Sequence, residues 1–357
     1  MRTRLSLWPS LPPRIYARRP ASLVPFPLDA PNRLLFARGR HALWFGVRAN
    51  GLEPGDEILV PAYHCGAEIQ ALTEANLTCR FYEASETLEP ETAELEALLG
   101  PRTRALFLIH YLGFPQDVFR WRSWCDEHGL LLIEDCAQAW LTSVDDRPVG
   151  SIGDLAIYSF AKTFALPDGA ALVSARRPLP PDMPGRLGLV PLAKRHAEWL
   201  MSRSGSVDRL LSRFERRSDI DFALDGPPRG PSSSTLFLLR RIPDREVASR
   251  RRANYRRLLD EFSNLVPSPF AKLGDGTCPL VFPVATNDSE ALVDRLARDG
   301  VGAARLWPVL HPRLPAGEFP RAVAWHARFV ALPVHQELRR ADVERIAAAL
   351  ADWATAV

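Results

Sequence analysis

The chain of 357 residues has almost no lysine: of its 45 basic residues 42 are arginine, and lysine stands only at positions 162, 194 and 272. Surface charge can be carried by either residue. An amine that must lose its proton to attack a carbonyl cannot be an arginine, whose pKa lies above about 12. Each remaining lysine is therefore either an ordinary surface residue or a candidate nucleophile. Cysteine is scarce as well, and Cys65, Cys79, Cys125, Cys136 and Cys278 are odd in number and include no CxxC pair. Neither a disulfide framework nor a metal site is expected, and a reducing, cytoplasmic setting fits. Charge of one sign is lacking: 45 Lys and Arg oppose 42 Asp and Glu, and a net +3 gives no reason to expect a nucleic-acid partner. No apolar run reaches the roughly 18 residues of a membrane-spanning helix, so no membrane is expected either. Prolines at 9, 12, 13, 20, 25, 27 and 31 break any apolar core of a secretion signal. No internal repeat is visible.

What is present is apolar material, 46% of the chain, enough for one large two-part enzyme. From residue 56 short apolar runs alternate with helical patterns. Strands are expected over 56–63 (DEILVPAY), 77–83, 104–111 (RALFLIHY) and 130–134 (LLLIE), with helices over 66–76, 91–99 and 117–128 between them. Continuous rather than alternating apolar runs mark strands covered on both faces, so an α/β fold with a mostly parallel central sheet covered by helices follows. The runs 155–160 and 170–174 have no long helix between them and are expected to be antiparallel neighbours. Beyond a proline-rich stretch, Val207, Leu210, Leu211 and Phe214 fall at helical spacing beside arginines. That amphipathic helix suits packing on the body or on a partner subunit better than a membrane surface. Residues 226–234 (GPPRGPSSS) read as a loop that opens into a long helix carrying Val247, Tyr255, Leu258, Leu259 and Phe262 on one face. A smaller unit follows, with a strand at 279–284, a helix at 289–299 and a closing helix buried through Val343, Ile346, Leu350 and Trp353.

Ligands of open parallel sheets gather beyond the carboxyl ends of the strands. Four such ends carry chemistry: Gly39 to His41, His64, Asp135 to Gln138, and Lys162. In the stretches GLEPGDEILVPAYHC, PRTRALFLIHYLGFPQDV, HGLLLIEDCAQAW, RPVGSIGDLAIYSFAKTFALPDGAALV and ALPVHQELRRADVERIAAAL the sequence resembles the DegT/DnrJ/EryC1/StrS aminotransferases. These are pyridoxal-phosphate enzymes of the fold-type I class, many of which aminate nucleotide-linked keto-sugars. The resemblance is close over 36–175 and looser beyond. It implies a fold-type I transferase with a Pro-rich N-terminal extension (1–30), a pyridoxal 5'-phosphate-binding large domain (31–240) and a small C-terminal α+β domain (241–357).

The resemblance also implies roles. Lys162 matches the Schiff-base lysine, which also carries the proton in catalysis, and arginine could not replace it. Asp135 matches the aspartate facing the pyridine nitrogen, where an anion keeps the ring protonated and electron-accepting; the plainer alternative is a helix cap. Gln138 matches the residue that reaches the phenolic oxygen. Gly39 and Arg40 stand in the small-residue turn whose backbone amides hold the phosphate at a helix start. Ser159 matches a phosphate-binding serine, although it precedes the lysine by three residues where many members have five. The ring-stacking aromatic falls on Cys65, which cannot stack, so Tyr63 or His64 is the expected replacement. The segment that reaches the partner's phosphate falls near 226–234 and lacks asparagine, leaving Arg229 as substitute. His110 and His311 match positions near the substrate, against the plainer reading of satisfied structural histidines. The expected whole is a homodimer moving an amino group from an amino acid, glutamate by preference, to a keto-sugar. The alternatives are another reaction of the same cofactor on a non-sugar substrate, or a binding protein without turnover.

Overall fold

The computed structural model describes residues 4–21, 24–181, 183, 185, 192–193, 195–197, 222–224, 226–242 and 246–354. The expected helix around Leu210, and Lys194, lie outside the described residues. The apolar runs form a seven-stranded sheet in the order β1-β9-β8-β5-β4-β2-β3. Its strands are β1 (Arg33–Phe36), β2 (Glu57–Pro61), β3 (Thr78–Tyr82), β4 (Thr103–Ile109), β5 (Leu131–Asp135), β8 (Leu155–Ser159) and β9 (Ala170–Ser174). Every residue of β2 is buried, as covering on both faces requires. The pairs β2–β3, β2–β4, β4–β5 and β5–β8 are parallel, while β9 is antiparallel to both β8 and β1. Only β9 is reversed within this sheet. The connection over 160–169 is shorter than the dozen or so residues a parallel crossover needs, and the register runs from Leu155 opposite Ser174 to Ser159 opposite Ala170.

Around the sheet lie α1 (Gly39–Ala49), α2 (Ala67–Glu74), α3 (Thr92–Leu98) and α4 (Val118–His128), while α5 (Phe160–Thr163) is a single turn that follows β8. Asp117 starts α4 by accepting the Arg120 N–H, and Gly129 ends it in the left-handed region. A small hairpin, β6 (Ser143–Val144) and β7 (Arg147–Pro148), sits between β5 and β8. The expected loop over 226–234 ends early: Ser232 caps a separate short helix, α6 (Ser233–Leu239), before α7 (Glu246–Phe262). A local cause sets this short helix apart from the loop: the Ser232 hydroxyl and the Thr235 hydroxyl both donate to Asp168.

The C-terminal part holds a three-stranded antiparallel sheet, ordered β10 (Val281–Ala285), β12 (Phe329–Pro333), β11 (Ala304–Arg305). Three helices flank it: α8 (Ser289–Arg298), α9 (Pro320–Arg328) and α10 (Arg340–Ala354). One continuous apolar core joins both parts, with Phe36, Val60 and Phe107 of the large sheet in the same cluster as Phe282, Val330 and Ile346. The N-terminal segment is fastened to the C-terminal part, because Leu5 bridges to Val301 and exchanges backbone hydrogen bonds with Gly300 and Gly302.

Candidate active site

Asp135 is the last residue of β5, at the carboxyl edge of the sheet. Its buried carboxylate accepts the Ala137 N–H at 2.8 Å, and a turn rather than a helix follows, so it is not a helix cap. Burial and then the Glu68 anion push its carboxyl up to about 6, against the opposing pull of Lys162, the Ala137 N–H and His110. Such a carboxylate gains from a cation brought to it. Lys162 sits half-buried on α5, and its charge is felt by both Asp135 and Cys65. No hydrogen bond or ion pair holds its amine among the described residues. Lys272, by contrast, is exposed.

Gln138 is oriented by the turn after β4. Its Oε1 accepts the Leu112 N–H at 2.8 Å, which leaves its Nε2 as the outward donor. That turn needs Gly113, whose φ is +90° and where a Cβ would lie 2.1 Å from the Cys278 carbonyl oxygen. The helix start is built by α1. Ala42 N–H makes the first helical bond, onto Arg38 O, so the amides ahead of it point out of the helix end. A Cβ on Gly39 would lie 3.8 Å from the Tyr158 carbonyl oxygen, which sets the turn beside the half-buried Ser159. Arg40 donates to the Ala223 carbonyl and His41 Nε2 pairs with that of Leu224, so residues 222–224 cross the start of α1. Arg229 belongs to the same neighbourhood of its own chain: its carbonyl accepts the Ala37 N–H at 2.9 Å.

The turn after β2 departs from the expectation of a ring at its tip. Tyr63 is packed against Tyr111, Trp307, Trp325 and His326, with centroids 4.9 to 5.6 Å away. His64 is fully buried beside Phe81, burial lowers its pKa to about 4, and neither ring nitrogen has a partner among the described residues. Both rings are thus enclosed by other side chains. The Cys65 thiol instead donates to Glu68 Oε2 at 2.7 Å while its N–H donates to Oε1 at 2.9 Å.

His110 is a structural histidine. Its Nδ1 accepts the Gln116 N–H at 3.1 Å and its Nε2 donates to Glu134 at 2.9 Å. Burial would raise the Glu134 carboxyl, but His110 and the N–H groups of Gly153 and Gly150 together bring it below its usual value. His110, Glu134 and Cys136 are close enough to share a metal, yet both imidazole nitrogens are already committed. His311 is held between Gln70 Oε1 and the Arg313 N–H.

Two residues near this edge carry no sequence signal. Glu68 reads as an ordinary acid in the first turn of α2. Arg251 is one arginine among many, yet it is fully buried and donates to Thr163 O, Pro279 O, Leu280 O and Gln336 Oε1 at 2.8 to 3.1 Å. Thr163 adjoins Lys162, so Arg251 ties the lysine-bearing turn to the C-terminal part.

A lysine on the turn after β8, an aspartate closing β5 and a helix start beside the end of β8, on a mostly parallel sheet with one reversed strand, define a fold-type I pyridoxal-phosphate protein. Residues 29–179 and 238–351 match the DegT/DnrJ/EryC1/StrS aminotransferase family, and the chain belongs to it. It is 33% identical over 141 residues to the GDP-perosamine synthase of Vibrio cholerae, a match spanning 39% of this chain and 38% of that protein. With the dTDP-4-dehydro-2,3,6-trideoxy-D-glucose 4-aminotransferase of Saccharopolyspora spinosa it shares 28% over 333 residues, 89% of this chain and 83% of the other. The structure resembles S. venezuelae DesV, solved in complex with a ketimine intermediate, at a TM-score of 0.67 and 25% identity over 90% of this chain and 84% of that one. Other solved proteins of this fold hold the cofactor in pyridoxamine or pyridoxal form. The residues present fit that cofactor: a buried carboxylate that a ring cation would satisfy, an oriented amide donor, an unengaged lysine amine and a helix start suited to a phosphate. Among the described residues no helix is long and apolar enough to cross a membrane.

Proposed function

We propose that the protein is a pyridoxal-phosphate-dependent aminotransferase that moves an amino group from an amino acid, glutamate by preference, to a keto-sugar carried on a nucleotide, acting as a cytoplasmic homodimer. The observation that carries this reading is the convergence of Lys162, Asp135, Gln138 and the start of α1 at one edge of the sheet. Asp135 would hold the ring nitrogen, Gln138 Nε2 the phenolic oxygen, and the amides around Gly39 and Arg40, with Ser159, the phosphate. The bound cofactor supplies the electron sink for the pair left when the donor's α-proton departs. Lys162 would move that proton, since its amine, unlike the Asp135 carboxylate, has no hydrogen-bond or ion-pair partner among the described residues. Relatives that act on nucleotide sugars support the acceptor class. The exposed Leu236 and Phe237 on α6, with Tyr16 stacked on Phe237, give the chain an apolar face of the kind a second copy covers.

The test is spectral. Purified protein is mixed with single amino acids, and the loss of cofactor absorbance above 400 nm is followed. A panel of nucleotide-linked keto-sugars is then added to restore it. Restoration by a keto-sugar supports the reading. A change with a donor that no keto-sugar reverses points to another acceptor, and no change with any donor points to a protein without turnover.

A further inference from the structure

Cys65 stands where the family has an aromatic ring, and its thiol is a stronger nucleophile than an amine once ionised. It lies close enough to Lys162 for the lysine's charge to act on it. A thiolate there could compete with Lys162: its sulfur lone pair would form a C–S bond to the cofactor's aldehyde carbon, and the carbonyl oxygen would take up a proton. Glu68 opposes this. Both of its oxygens are used by Cys65, one by the backbone N–H at 2.9 Å and one by the thiol at 2.7 Å, which turns the sulfur toward α2. The carboxylate is 5% exposed and has no ion-pair partner among the described residues.

We propose that Glu68 is a positioning residue that holds Cys65 in its protonated form, turned onto α2, so that Lys162 meets the cofactor's aldehyde without competition. Burial and the adjoining anion both raise the thiol's pKa, and Lys162 only partly offsets them. The inference rests on the cofactor and not on the identity of the acceptor, so it stands or falls apart from the sugar reading.

The experiment measures the alkylation rate of Cys65 by iodoacetamide in cofactor-free protein, read by peptide mass mapping from pH 6 to 10. In the wild type, labelling at pH 8 should be slow and should rise only toward pH 10. Glu68→Gln, with a melting curve like the wild type's, should label at least tenfold faster at pH 8, and Glu68→Asp should restore slow labelling. Rates within twofold for wild type and Glu68→Gln overturn the proposal. If Glu68→Gln does not fold, the S–H stretching band of the wild-type protein decides, assigned to Cys65 by its loss in Cys65→Ser: a band shifted below that of a free thiol supports the proposal and one at the free-thiol position overturns it.

Discussion

Asp135 is expected to weaken the empty protein while serving the loaded one, and replacing it by asparagine separates the two effects. Its carboxyl is raised to about 6 from 3.8, so between roughly pH 4 and 6 the folded chain binds a proton that the unfolded chain has released. Stability from this group is therefore highest at low pH and is lost as pH rises through that window. Asp135→Asn should make cofactor-free protein more stable at pH 7.5, by about 1–3 kcal/mol at 1.36 kcal/mol per pK unit, which thermal melting can measure. The same change should slow the donor half-reaction by about a hundredfold or more, equivalent to roughly 2.7 kcal/mol. A variant that transaminates within threefold of wild type would show Asp135 to be structural. Asp135, Gln138 and Lys162 are legible in the sequence because their chemistry admits few substitutes and their neighbours are distinctive. Glu68 and Arg251 are not, since burial makes them unusual and burial is a property of the fold. In sequence both look like solvated charges.

At the scale of elements, the turn after β4 shows how far one backbone position controls the site. Gly113 lies in the left-handed region against the Cys278 carbonyl, the neighbouring Leu112 N–H holds Gln138, and Thr142 Oγ1 donates to Gly113 O at 2.8 Å. Gly113→Ala meets both conformational strain and a backbone clash. It should lower stability by about 2–4 kcal/mol in urea unfolding and weaken cofactor binding by displacing Gln138; an unchanged unfolding midpoint would contradict this. The large sheet is legible because its strands are unbroken apolar runs, and even the reversed β9 follows from the short connection before it. The small sheet is less so. β12 (FVALP) directly follows α9, with no glycine or proline between the two to separate the patterns. Likewise α6 is hidden by a serine-rich stretch that reads as loop, because its cap relies on Asp168, distant in sequence.

Over the whole molecule, the shared core and the Arg251 clamp make the two parts interdependent. Arg251→Met removes the donors that serve three carbonyls and Gln336, taking this donor from the buried Pro279 and Leu280 carbonyls and leaving Thr163 O only the Gln336 Nε2 bond at 3.3 Å, and should cost about 3–5 kcal/mol. Because Thr163 O is among those carbonyls, borohydride fixation of the cofactor should become less efficient as well; a variant as stable as wild type would contradict the clamp. Sedimentation at low micromolar concentration should show a dimer, and Leu236→Asp with Phe237→Asp should shift it to monomer; a fully active wild-type monomer would refute the assembly. That Lys162 is the residue that bonds the cofactor is tested most directly by borohydride reduction of the cofactor-loaded protein followed by peptide mapping. One labelled peptide is expected, the one bearing Lys162, and no label in Lys162→Arg, which should still fold. Label on Lys194 or Lys272, or label that persists in Lys162→Arg, would contradict it.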